Sequence, residues 1–285
     1  MLTRAVGVLD PDYPDNSGGL DTWCLQHLDL DVDDTYDYLR SERPDYVTFE
    51  RWILDRRGGH LHEAKIARFN QIVLHRQHIR PHKIIETYAD IGFDPDVDTC
   101  TSALLLNTLQ DWHRFRNVDL QSETSDIPSN MAPLVGSIEV GPLNVMQLPR
   151  TWHKVLLEAK GLLNSDYPAC GNGLDLNVLT TLGLDRDETV EYLRQALPVY
   201  LEFERWVVER IGGGDRLKVK AFQTSMLNRE HPEPKRSLIH QLTGCDRTIT
   251  NGVLLNHLED WHFFYHRDIQ EGLLDNLKGK IVPLI

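Results

Sequence analysis

Positive charge is scarce in this sequence: 30 Lys and Arg stand against 43 Asp and Glu, for a formal net charge of −13. Nucleic-acid backbones and anionic membrane surfaces are held by clustered Lys and Arg, so no nucleic-acid partner and no membrane partner is expected. Cysteine is scarce too. Cys24, Cys100, Cys170 and Cys245 have neither a zinc spacing nor that of a disulfide framework, and are expected as reduced thiols in a cytoplasmic protein. No apolar run approaches the roughly 18 residues of a membrane span, and the opening MLTRAVGVLDPDYPDNSGG lacks the apolar stretch and cleavage site of a signal peptide. Also missing are a Gly-rich phosphate loop, a dinucleotide fingerprint, a serine elbow and a Cys–His pair. No organic cofactor is therefore expected. Period-2 alternation, the mark of a half-buried strand, is nearly absent.

What is present is a repeat. Residues 12–59 align without a gap to 166–213, and 24 of the 48 positions are identical, against about three by chance at ordinary residue frequencies. A second block matches LLNTLQDWHRFRNVDLQ (105–121) to LLNHLEDWHFFYHRDIQ (254–270). Between the blocks, Phe69, Leu74, Arg76, His78 and Pro81 match Phe222, Leu227, Arg229, His231 and Pro234. Apolar residues recur at i, i+3, i+4, as in Tyr46, Phe49, Trp52 and Ile53 and their matches Tyr200, Phe203, Trp206 and Val207. The predicted fold is all-α: two similar helical-bundle repeats related by an approximate internal twofold. The first occupies 1–121, a proline-bearing linker 122–147, and the second 148–285.

The copies differ at their start. Leu2-Thr3-Arg4 matches Leu148-Pro149-Arg150, but seven residues then lead to Asp12 and fifteen to Asp166. The second copy thus has a helix, TWHKVLLEAKGLL, that the first has mostly lost. The acids at Asp21 and Asp175, Asp31 and Asp185 are read as helix caps.

The order Leu148-Pro149-Arg150, Lys154, Tyr167, Leu174-Asp175, Leu182-Gly183-Leu184-Asp185 and Trp206 resembles the bacterial family called domain of unknown function 5069. The likeness covers most of 148–262 and, more faintly, 12–113. The first copy departs from it, with no counterpart of Lys154 and with Asp29 in place of Gly183. The resemblance implies fold and duplication and carries no activity.

Candidate chemistry lies in four places. Arg150, His153 and Lys154 cluster at the start of the unduplicated helix, and with Tyr167 they form a candidate cationic pocket for a carboxylate or phosphate. Glu50 and Glu204 border the tryptophan faces. His113 and His262 belong to the Asn-x-x-x-Asp-Trp-His element that both copies share, and His titrates near neutrality. His60, His62, His75, His78 and His82 crowd one stretch, but only His78 recurs, as His231, so no metal site is expected. The leading expectation is an enzyme without a cofactor, acting on a small anionic or aromatic metabolite held between the repeats. Glu204, His262, Tyr167 and Glu50 would be its acid/base or orienting groups, and Arg150, Lys154 and His113 its substrate contacts. The rival is a non-catalytic binding or assembly protein whose repeats imitate a homodimer, and a true homodimer is a further possible partner. An open cavity lined by Glu, His, Arg and Tyr favours the first; a closed apolar seam favours the second.

Overall fold

A computed structural model of the chain describes residues 1–5, 9, 13–16, 18–121, 130–212 and 214–270. Among these residues every regular element is helical. The α-helices are α1 (Leu2–Ala5), α2 (Leu20–His27), α3 (Val32–Ser41), α4 (Tyr46–Arg56), α5 (Glu63–Leu74), α6 (Pro81–Ile91), α7 (Ala103–Asn117), α8 (Leu148–Ala159), α9 (Leu174–Leu182), α10 (Arg186–Ala196), α11 (Tyr200–Ile211), α12 (Arg216–Leu227), α13 (Lys235–Thr243) and α14 (Gly252–Phe264). A wider π-type segment, Tyr265–Gln270, continues α14. No described helix is long and apolar enough to cross a membrane.

Local chemistry sets the helix ends. The Asp31 and Asp185 carboxylates each accept the backbone N–H three residues on, at 2.9 Å, and so open α3 and α10. Gly212 ends α11 in the left-handed region, φ 61°, which only glycine enters freely. Asp21 and Asp175, in contrast, are not caps. Both lie one residue inside their helices, behind Gly19 and Gly173, and Asp175 is buried in an ion pair.

Matched positions of the two halves have matched surroundings. Tyr38 stacks on Trp52 at 4.4 Å and Tyr192 on Trp206 at 4.6 Å. Arg56 lies over Trp52 and Arg210 over Trp206, each guanidinium meeting the negative face of the ring. Contacts between the halves also come in pairs. Tyr46 of α4 packs on Trp261 of α14, and Tyr200 of α11 on Trp112 of α7. Arg51 donates to the Gly244 carbonyl and Arg205 to that of Gly92. Tyr265 donates to the Arg43 carbonyl and Arg116 to that of Leu197.

The largest core follows from this exchange. Tyr88, Ile91, Leu106, Leu109, Trp112 and Phe115, from α6 and α7, pack with Trp152, Val155, Leu156, Leu179, Leu193, Tyr200 and Phe203 of the second half. It therefore runs across the expected boundary at 121. The smaller cluster of Ile239, Cys245, Leu255 and Leu258 likewise takes in Val47 and Trp261. Helix α8 lies inside the main core, with Leu148 through Leu157 all buried. Each of its fully enclosed large apolar side chains contributes roughly 1.5–3 kcal/mol. The expected linker is core as well over its described part. Met131, Ala132, Val135, Ser137, Val145 and Gln147 are buried, and Met131 pairs with Leu163 as an isolated bridge.

Candidate functional site

Helix α8 carries a polar stripe through an apolar core. Lys154 lies four residues after Arg150 and three after Thr151, so each neighbours it on the helix surface, and all three are buried. A cation in such a place must be paired. The Arg150 guanidinium meets the Asp260 carboxylate through two bonds, at 2.8 and 3.0 Å, and also donates to the Pro133 and Val135 carbonyls at 2.9 Å. Burial works against its charge, but the Asp260 carboxylate outweighs that, and the Arg150 pKa is raised. The Tyr167 hydroxyl donates to the same carboxylate at 2.8 Å. Burial, with that carboxylate, lifts the phenol pKa far above its usual value.

Lys154 repeats the arrangement one turn on. Its ammonium donates to Asp175 at 2.6 Å and to the Pro168 carbonyl at 3.1 Å. Asp175 also accepts from Gln147, Thr151 and the Gly171 N–H. Burial pushes its carboxyl up, but Lys154 and these donors more than reverse that, so its pKa is lowered.

Beside this network opens a cleft of about 550 Å³, between α8, the 166–175 loop, the start of α13 and α14. Arg150, Lys154, Tyr167 and Asp175 line one wall; Arg229, His231, Lys235, Asn256 and Glu259 line the other. His231 donates from Nε2 to Asn256 Oδ1 at 2.7 Å, and its Nδ1 accepts from Arg229 at 3.1 Å. That pattern fixes the neutral tautomer, and burial lowers the ring's pKa. Arg229 makes no carboxylate ion pair among the described residues, and Lys235 pairs with Glu259 at 3.1 Å. Two polar atoms at the cleft lack partners among the described residues: Ser137 Oγ and Gln147 Oε1, both on buried side chains. The Gln147 N–H to Ser137 carbonyl bond, 2.8 Å, holds these residues together.

Of the seven expected site residues, this cleft unites Arg150, Lys154 and Tyr167. The free cationic wall expected of Arg150 and Lys154 is corrected: both charges are matched internally by Asp260 and Asp175. The other four lie elsewhere. Glu204 is buried beneath the 141–143 loop, accepting from the Tyr200 hydroxyl and the Leu143 N–H; burial pushes its pKa up to about 7. Glu50 is exposed on α4, beside Tyr46. His262 faces His266, with ring centroids 4.1 Å apart. His113 lines a separate cleft with Tyr13 and Asp111. That cleft holds the first-half match of the tyrosine–aspartate couple, Tyr13 OH to Asp111 Oδ1 at 2.9 Å, but Asp111 there is exposed. The crowded histidines of 60–82 form no metal-holding group among the described residues.

Sequence reasoning missed Asp175 and Asp260 as site groups, along with Ser137, Gln147, Arg229 and Lys235. The identical Asn-x-x-x-Asp-Trp-His element was the available signal: its Asn256 and Asp260 meet the cleft's His231 and Arg150. Comparison with protein-family models, with curated proteins and with solved structures finds no match to this chain.

Proposed function

We propose that the chain binds a small anionic metabolite, bearing a carboxylate or phosphate, in the cleft between α8 and α14. One observation carries the reading. A chain of net charge −13 gathers Arg150, Lys154, Arg229 and Lys235 around one concavity. Arg229, without a carboxylate partner, and Lys235 are the groups that meet the anion. Arg150 and Lys154 shape the wall and hold Tyr167 and Gln147 in place. The volume falls within the range of small-molecule pockets.

Binding is favoured over acid/base catalysis because Tyr167, His231 and Asp175, the acid/base candidates on these walls, are already hydrogen-bonded. Tyr167 donates to Asp260, both ring nitrogens of His231 are engaged, and Asp175 is saturated with donors. The expected catalytic set is dispersed. We also infer that the halves are copies of one unit about an approximate twofold, with α6–α7 and α13–α14 exchanged between them. The matched reciprocal contacts support this arrangement. The test is thermal unfolding with a panel of di- and tricarboxylates, inorganic phosphate and sugar phosphates. At least one anion should raise Tm, as mass action requires of a native-state ligand. Arg229→Ala with Lys235→Ala should abolish the rise. No shift with any anion, or an equal shift in the variant, refutes the reading.

A further inference from the structure

A second cleft, of about 640 Å³, lies apart from the α8–α14 cleft, between α12, the ends of α9 and α11, and the 142–145 loop. Its floor is apolar: Leu143, Val145, Leu182, Ile211 and Val219. Its mouth is basic. Arg216 and Lys220 stand one turn apart on α12, exposed, and neither makes an ion pair among the described residues. We infer that this cleft binds a small amphiphilic carboxylate, its apolar body on the floor and its head group between Arg216 and Lys220.

Two further observations carry the inference. First, the wall is built in advance. The Leu143 N–H donates to Glu204 at 3.1 Å and the Met146 N–H to Gln223 at 3.1 Å, pinning both ends of the loop. Gly141 lets it sit so close that an added Cβ would come 2.2 Å from the Tyr200 ring. The cleft therefore stays open without a ligand, and little ordering cost opposes binding.

Second, the first half fills the matched place with charge. Among the lining residues, Leu182 and Val219 keep apolar matches in Leu28 and Ile66, but Ile211 corresponds to Arg57 and, with Phe222 aligned to Phe69, Arg216 and Lys220 correspond to Glu63 and Ala67; Asp29 corresponds to Gly183, next to Leu182. Asp29 there binds Arg57 at 3.2 Å and Lys65 at 2.5 Å. An apolar Ile211 beside two cations that make no ion pair among the described residues is therefore particular to the second half. An aliphatic acid satisfies both features, where an alcohol or an alkylammonium satisfies only the floor.

The test is isothermal titration of the full chain with octanoate, alongside 1-octanol, octylammonium and acetate. Octanoate should bind one per chain, acetate not at all, and octanol and octylammonium at least about tenfold more weakly, the worth of one charge-assisted contact. Arg216→Gln with Lys220→Gln, both on the surface, should weaken octanoate about tenfold and leave Tm unchanged. Val219→Phe should fill the floor and remove binding. Amide exchange gives a location: octanoate should protect 142–146 and 216–223. Octanoate weaker than about 1 mM, octylammonium as tight as octanoate, or protection elsewhere overturns the inference. None of these results bears on the α8–α14 cleft, which shares no lining residue with this one.

Discussion

Replacing Arg150 by Met tests whether the node inside the second half is a true buried ion pair. Methionine keeps an unbranched apolar stem and deletes the guanidinium. Arg150 is only 5% exposed, and its four hydrogen bonds end on the Asp260 carboxylate and the Pro133 and Val135 carbonyls. Removing one member of a buried pair leaves the other charged and desolvated, at about 3–5 kcal/mol. Each stranded carbonyl adds up to about 1 kcal/mol where water cannot reach it. Tyr167 still donates to Asp260, which offsets part of the loss. The expected total is about 4–5 kcal/mol, read as a lower urea midpoint at unchanged slope. Adding Asp260→Asn removes the stranded charge, so the double variant should be more stable than the sum of the singles by roughly 2–3 kcal/mol. A single-variant loss below about 1 kcal/mol, or additivity within about 0.5 kcal/mol, would show that water reaches the pair and that the burial argument is wrong.

Two further predictions concern pH. His153 is fully buried, with no hydrogen-bond partner on either ring nitrogen among the described residues, and burial takes its pKa down to about 3 from an ordinary 6.5. The unfolded chain therefore gains a proton that the folded chain refuses, and the His153 contribution to stability falls as pH drops below about 6.5. Between pH 6.5 and 5 the loss is about 2 kcal/mol at 1.36 kcal/mol per unit. His153→Leu should abolish this dependence, and an unchanged profile in that variant would refute the neutral assignment. Glu204 acts in the opposite direction: its folded pKa of about 7 exceeds the ordinary 4.5, so stability is lost as pH rises from 4.5 to 7. Wild type should lose about 3 kcal/mol by pH 8 that Glu204→Gln retains; parallel profiles for the two proteins count against it.

The helical class was legible because the apolar spacing of Tyr46, Phe49, Trp52 and Ile53 admits one period, and because the whole pattern recurs at 200–207. The packing of α6 and α7 against the second half, and of α14 against α4, was not. Periodicity shows that Leu109 and Trp112 face a core, and does not show whose core, because Tyr88 of the same half and Trp152 of the other are equally apolar partners. The linker misled for a related reason. Its near-absence of charge after Asp126, with Glu139 the one charged residue, goes with burial over the described part, 130–147, while its prolines mark the absence of a helix there. Arg150, Lys154 and Tyr167 were found by their clustering in sequence. Asp175 and Asp260, which decide what those cations can do, stand 25 and 110 residues from Arg150, and each also fits an ordinary place on a helix. Spacing cannot separate a capping aspartate from a buried counter-ion when both sit in a first turn.

The two halves together argue that α8 creates the node and is not merely stabilised by it. Both halves keep the tyrosine–aspartate bond, at 2.9 Å for Tyr13–Asp111 and 2.8 Å for Tyr167–Asp260. Both keep an arginine at the matched position, Arg4 and Arg150. Where α8 covers the couple, Asp260 is 3% exposed and takes the guanidinium through two bonds. In the first half α1 ends at Ala5, Asp111 is exposed, and Arg4 donates instead to the Tyr13 carbonyl. An exposed aspartate gains little from a fixed ion pair, since water screens the charge and ordering both side chains costs entropy. A covered one cannot do without it. The same residues thus form a wall paired to a guanidinium in one half and a tyrosine–aspartate couple without that guanidinium in the other. On that physical ground the proposed anion cleft belongs beside α8 and not at its first-half match.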